Sequence, residues 1–95
     1  MPFPEQNPRE FTRQNIEKLR ANQSGVYGLY KTDCWIYVGK GNIRDRLLAH
    51  LNGDNLCITE ERPTHWVYVV IKGDPSAREK WLIAELKPSC NQQVG

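Results

Sequence analysis

Gly25-Val26-Tyr27-Gly28-Leu29-Tyr30, a polar break at Thr32-Asp33, and then Trp35-Ile36-Tyr37-Val38-Gly39 is the stretch that decides the fold of this 95-residue chain. β-Branched and aromatic residues recur with a period of two on both sides of the break, which predicts a β-hairpin. Strands joined this tightly must run antiparallel. Parity then decides where the tyrosines point. An odd connection over residues 32–34 pairs Lys31 with Trp35, Leu29 with Tyr37 and Tyr27 with Gly39, so both phenols share one face; an even connection sends them to opposite faces. Gly39 opposite Tyr27 is expected to leave open space over that ring, where a substrate could approach closely.

Downstream of the hairpin, Asn42 caps a predicted helix with Asp45 at its third position. Ile43, Leu47, Leu48 and Leu51 form its apolar stripe and Gly53 ends it. Residues 53–64 are polar and turn-rich and are read as a loop. His65 to Lys72 reads as a strand covered on both faces. Asp74 as cap and Pro75 as first residue then open a helix that runs to Leu86 and stops before Pro88. Upstream, Asn7-Pro8-Arg9-Glu10 predicts a helix over about 8–21 whose charged outer face carries Arg9, Arg13 and Arg20. The expected fold class is α+β, a three-stranded, mainly antiparallel sheet flanked by helices, with an extra N-terminal helix.

Composition supports a folded chain: Leu, Ile, Val and Phe number 22 and the net charge is only +2. The length allows one compact domain, divided here into a helical extension over 1–24 and a core domain over 25–95. Thirteen basic against eleven acidic side chains do not announce a nucleic-acid binder by charge alone. No apolar run approaches the roughly 20 residues of a membrane span, and no signal pattern opens the chain. A soluble, cytoplasmic protein without a membrane partner is expected. Cys34, Cys57 and Cys90 are odd in number, widely spaced and lack a C-x-x-C pair, which argues for free thiols and against a disulfide framework or zinc knuckle.

Three groups of residues look chemical. Glu79 falls in the stripe formed with Leu82, Ile83 and Leu86, where a carboxylate costs several kcal/mol unless paired, hydrogen-bonded or bound to metal. Its competing reading is a capping box with Ser76. Arg46 and His50, four apart on the middle helix, stand on one flank and reach one point; Arg offers a fork suited to phosphate, His a proton shuttle near neutral pH. A plain helix-edge Arg paired with Asp45 or a Glu, beside an exposed His, is the bland alternative. Tyr27 and Tyr37 form the third group, set against the ordinary preference of strands for tyrosine.

In order and spacing these residues are similar to the GIY-YIG nuclease family. Gly25-Val26-Tyr27, nine residues, and Tyr37-Val38-Gly39 resemble its two-part signature with Val for Ile in both parts. Arg46 and His50 follow on the next helix, and then Arg78-Glu79-x-x-Leu82-Ile83-x-x-Leu86-x-Pro88-x-x-Asn91, so that the resemblance covers residues 25–91. It implies a divalent-metal-dependent endonuclease acting on DNA, with RNA not excluded, in repair or recombination. Glu79 would bind one Mg2+ or Mn2+ ion per active site, Arg46 would stabilise charge on the phosphate, and Tyr27, Tyr37 and His50 would position or deprotonate water. Gly39, Lys40 and Arg44 are expected to meet the substrate, and Gly25 and Asn91 to support the site. One site cuts one strand, so nicking is expected, with specificity arising in the domain, in a homodimer or in a separate subunit. The alternative is a nucleic-acid-binding module of the same fold without useful catalysis, and behind it an unrelated α+β interaction domain. Glu79 on an apolar stripe weighs against both.

Overall fold

The computed structural model describes residues 3–91. The hairpin forms as β2 (Ser24–Lys31) and β3 (Cys34–Asn42), but its turn is the two residues Thr32–Asp33, with Lys31 opposite Cys34. An even turn alone would separate the tyrosines. A β-bulge between Leu29 and Tyr30 corrects the parity: Tyr30 pairs with Trp35, Leu29 with Tyr37 and Tyr27 with Gly39, which leaves Ile36 as the extra residue. Ile36 and Tyr37 consequently both join one core cluster, while Trp35 packs in the other.

β4 (His65–Val70) pairs antiparallel with β2 on its other side, placing Tyr68 opposite Tyr27 and Trp66 opposite Leu29. A fourth strand, β1 (Arg9–Glu10), adds to the far edge of β4, giving the sheet order β1-β4-β2-β3. Among the described residues the sheet therefore has four strands where three were expected. Its extra strand replaces most of the predicted N-terminal helix, which is reduced to α1 (Arg13–Ile16) capped by the Thr12 hydroxyl. Tertiary pairing decides this. The open edge of β4 needs partners, which Gln6, bonded to both backbone groups of Tyr68, and β1 supply, and Arg9 lies over the Trp66 and Tyr68 rings.

α2 (Ile43–Leu51) is capped by the Asn42 side chain as expected. It packs with Ile16 and Ile58 on the sheet face that carries Tyr27, Leu29 and Trp66. The opposite face buries Val26, Val38 and Val67 under Phe3 and under Leu82 of α4 (Ser76–Leu86). α4 starts one residue later than predicted, although the Asp74 carboxylate does accept the Ser76 N–H at 2.9 Å.

Two further expectations fail together. Residues 53–64 are not all loop: Asn55 caps a short helix, α3 (Leu56–Glu61), anchored by buried Ile58. Nor are all three thiols free, since Cys57 on α3 is bonded to Cys90, 33 residues on, and only Cys34 remains a thiol. The bond follows from how the tail is held. Ser89 and Cys90 donate to the carbonyls of Trp35 and Ile36, and the Asn91 side chain bonds both the N–H and the C=O of Val38, at 2.7 and 2.8 Å. The tail so covers the outer edge of β3 and brings Cys90 to α3. No helix among the described residues is long and apolar enough to cross a membrane.

Candidate active site

β2 brings Tyr27 and β3 brings Tyr37 to the face covered by α2, with ring centroids 6.3 Å apart. Tyr27 lies directly across from Gly39, and a Cβ added at Gly39 would collide with the Tyr27 hydroxyl and ring. The space expected to be open to a substrate is thus filled by Tyr27 itself, and the glycine is needed so that this ring can fold over β3. Gly25 has a comparable structural reason, because a Cβ there would strike the Val69 carbonyl of β4.

His50 projects from the last turn of α2 between the two rings, 3% exposed and edge-on to Tyr37 with centroids 5.1 Å apart. Its Nδ1 lies 2.7 Å from Oδ1 of Asp54 and its Nε2 lies 2.6 Å from the Tyr27 hydroxyl. A carboxylate only accepts, so Nδ1 carries the proton, and a neutral ring then leaves Nε2 to accept from the phenol. Burial lowers the His50 pKa below the ordinary histidine value, against the opposing pull of Asp54, which fits a neutral imidazole. Burial, reinforced by Tyr37, pushes the Tyr27 phenol well above the usual tyrosine range despite the guanidinium of Arg46 beside it.

Arg46 donates from Nη2 to the other oxygen of Asp54 at 2.9 Å. Asp54, not Asp45 or a glutamate, is therefore its partner. Burial alone would raise the Asp54 carboxyl, but His50 and Arg46 outweigh it and hold it below the usual carboxylate range. Partial burial likewise acts to lower Arg46, while Tyr27 and Asp54 outweigh it and raise the guanidinium, which stays charged. Asp54 is the site residue missed in the sequence. It lies four positions after His50 in line with the helix stripe, yet beyond Gly53, where the helix was expected to end.

Glu79 approaches from α4, on the other side of the sheet. Burial raises the Tyr37 phenol and the nearby charge of Glu79 raises it further, against Arg46. The capping-box alternative does not form: Asp74 takes the Ser76 N–H, and the Ser76 hydroxyl accepts from Lys40 Nζ at 2.6 Å. Among the described residues the half-buried Glu79 carboxylate has no hydrogen-bond or ion-pair partner, and no three metal-ligating side chains cluster. Lys40 is thus tied to α4, whereas Arg44, also half-buried on α2, has its Nε buried without a hydrogen-bond partner among the described residues.

A buried tyrosine donating to a histidine oriented by a carboxylate, with an arginine on the same carboxylate, can accept a proton at one end and hold an anion at the other. The fold itself has solved counterparts. Over 85% of this chain and 100% of the other, it superposes on the magnesium-bound GIY-YIG N-terminal endonuclease domain of UvrC from Thermotoga maritima, with 24% identity and a TM-score of 0.71. Two point mutants of that domain, each bound to its catalytic divalent cation, superpose over 86% of this chain with 23% and 22% identity and TM-scores of 0.71 and 0.72. No protein-family model and no curated protein sequence matches the chain. The chain has the GIY-YIG domain fold, and the particular domains it is similar to are endonuclease domains.

Proposed function

We propose that the chain is a divalent-cation-dependent endonuclease that hydrolyses phosphodiester bonds of DNA, one strand per active site. The observation that carries this reading is the hydrogen-bonded line from Asp54 through His50 to Tyr27, with Arg46 tied to its acidic end. The attacking water gives its proton to the Tyr27 oxygen as the phenol proton moves to His50 Nε2. The hydroxide so made attacks phosphorus as the bond to the leaving oxygen breaks, that oxygen takes a proton from solvent, and the imidazolium left at His50 faces Asp54. Tyr27 thereby acts as a base without holding the phenolate charge that its burial disfavours. Arg46 sets its fork against the phosphate, where negative charge grows in the transition state. Tyr37, edge-on to His50, keeps the imidazole in place from the opposite side.

The residues present fit a divalent cation at Glu79, whose carboxylate is half-buried and unpaired among the described residues. Magnesium is commonly held by one or two carboxylates with water and substrate phosphate completing the shell, so a single protein ligand suffices. When bound, such an ion, magnesium or manganese, supplies Lewis-acid charge to the oxygens of the scissile phosphate. Lys40 and Arg44 would meet the strand, while Gly25 and Asn91 support the strands that carry the tyrosines.

The test is nicking of supercoiled plasmid with magnesium, in parallel with Glu79→Gln. Nicked circles should appear before linear product, and the variant should produce neither. Wild-type protein that leaves plasmid intact with magnesium and with manganese, on duplex, branched and single-stranded DNA alike, would exclude the reading.

A further inference from the structure

β1 and α1 do more than cover the sheet edge. Between them and β4 lies a cavity of about 310 Å3, near the lower end of small-ligand sites, lined by Arg9, Asn15, Lys18, Leu19, Trp66 and Tyr68. Among the described residues the lining combines two cations, two aromatic rings and no carboxylate. Arg9 sits 5.5 and 5.2 Å over the centroids of Trp66 and Tyr68, and among the described residues its Nη1 meets only neutral acceptors, Gln6 Oε1 and the Asn7 carbonyl. Its positive charge is therefore oriented and not neutralised. Lys18 has no ion-pair partner among the described residues, in contrast to Arg13 nearby, which is paired with Glu17.

We propose that this pocket binds a nucleotide of the nucleic-acid strand flanking the one to be cut. Arg9 and Lys18 would hold its phosphate, and its base would stack beside Tyr68. Trp66 is fully buried, so Tyr68 alone offers ring surface; a part-exposed aromatic beside uncompensated cations suits a single strand, with its polyanionic backbone and flat π-faced bases. Position argues for the same ligand. Tyr68 stands opposite Tyr27 in the register of β4 and β2, on the same sheet face; the Tyr27 ring folds over β3, so its hydroxyl lies about two strand spacings, roughly 10 Å, from Tyr68. A strand engaged at Tyr27 is thus within reach of the pocket. The inference rests on the nuclease reading for the identity of its ligand, and it gives the N-terminal segment, which lies outside the matched motifs, a share in substrate binding.

The experiment measures binding apart from cutting, by fluorescence anisotropy of a labelled single-stranded oligonucleotide in EDTA at several salt concentrations. Lys18→Ala and Arg9→Gln should each weaken binding about three- to tenfold and flatten the log–log salt dependence by about 0.7, the contribution of one phosphate contact on a single strand. Lys80→Ala, an equal charge change on the exposed side of α4, should do neither. An abasic strand should bind wild type less tightly than a strand with bases. Lys18 is exposed, so its variant keeps the test sound even if Arg9→Gln loosens the sheet edge. Two results would overturn the inference: both variants binding like wild type with the same salt slope, or a polyglutamate peptide displacing the oligonucleotide at equal charge concentration. Wild type that binds in this manner but never nicks would remove the proposed function and leave the pocket as a nucleic-acid site.

Discussion

The two flanks of Tyr37 are built on opposite terms. On the α2 side His50, Asp54 and Arg46 are hydrogen-bonded to one another and to Tyr27, with every bond under 3.0 Å. On the α4 side stands Glu79, a half-buried carboxylate whose protein neighbours offer it no hydrogen bond among the described residues. The first flank is organised by the chain itself, so its groups contribute to folding as well as to the proposed chemistry. The second is left incomplete, as a group awaiting a charge from outside would be. Activity and stability should consequently be coupled on one flank and separable on the other.

The largest effect is expected at Glu79. Glu79→Gln should lower magnesium-dependent nicking by at least two to three orders of magnitude. In EDTA, urea denaturation should find the variant within about 0.5 kcal/mol of wild type, and Glu79→Leu unchanged or more stable. A leucine variant that is clearly less stable yet still cuts DNA would erase the contrast. Tyr27→Phe should reduce single-turnover nicking by roughly 10^2- to 10^4-fold. It also strands the buried Nε2 of His50, so a stability loss of about 1–3 kcal/mol should accompany the lost activity. Full stability in that variant would mean that the phenol–imidazole bond contributes nothing to the fold.

Asp54→Asn preserves shape and removes the charge that fixes the His50 tautomer. Nicking should fall about 10- to 100-fold, and stability by about 1 kcal/mol because the carboxylate is partly solvated. The smallest effect is the pH dependence of stability. The folded pKa of His50 lies below its unfolded value of about 6.5, so the unfolded chain takes up the proton first. Stability should therefore be full above that pH and decline as the pH falls from about 6.5 toward the folded value, with a slope of at most about 1.4 kcal/mol per pH unit. His50→Gln should flatten this window, while the loss tied to Asp54, whose folded pKa is also depressed, begins below about 3.9. An unchanged denaturation profile in the His50 variant between pH 7 and 5 would contradict a buried neutral imidazole.

Much of this was legible in the sequence wherever a local rule and the tertiary demand agree. The Asn42 cap and the stripe of α2 follow from short-range patterns that packing reinforces, whereas the pairing of Tyr27 with Gly39 was legible only as one of two parities and is set by a bulge that no local pattern announces. Legibility failed where distant groups decide. Asn7-Pro8-Arg9-Glu10 carries sound helix-start chemistry, but the unpaired edge of β4 draws it into a strand, because buried backbone groups must be bonded. α3 has Ile58 as its one buried residue, too little apolar signal against its polar neighbours. Missing α3 concealed the Cys57–Cys90 bond, since spacing alone cannot bring a loop cysteine to a tail that pairs along β3. Asp54 was hidden because its contact with His50 continues the helical spacing after the helix has ended.

The bulge at Ile36 lets an even turn serve a hairpin whose two phenols share one face. A strand counts residues modulo two, so every residue added to or removed from a turn inverts all side chains on one side of it. Here the inversion required by an even turn is undone five residues away from Lys31, before the chain reaches Tyr37. Two separable parts of the backbone, a turn and a bulge, thus hold one bit of information between them, and the facing of the phenols depends only on their combined parity. The tip can change its parity only if the bulge changes with it, which places the constraint on turn and bulge together and on neither alone.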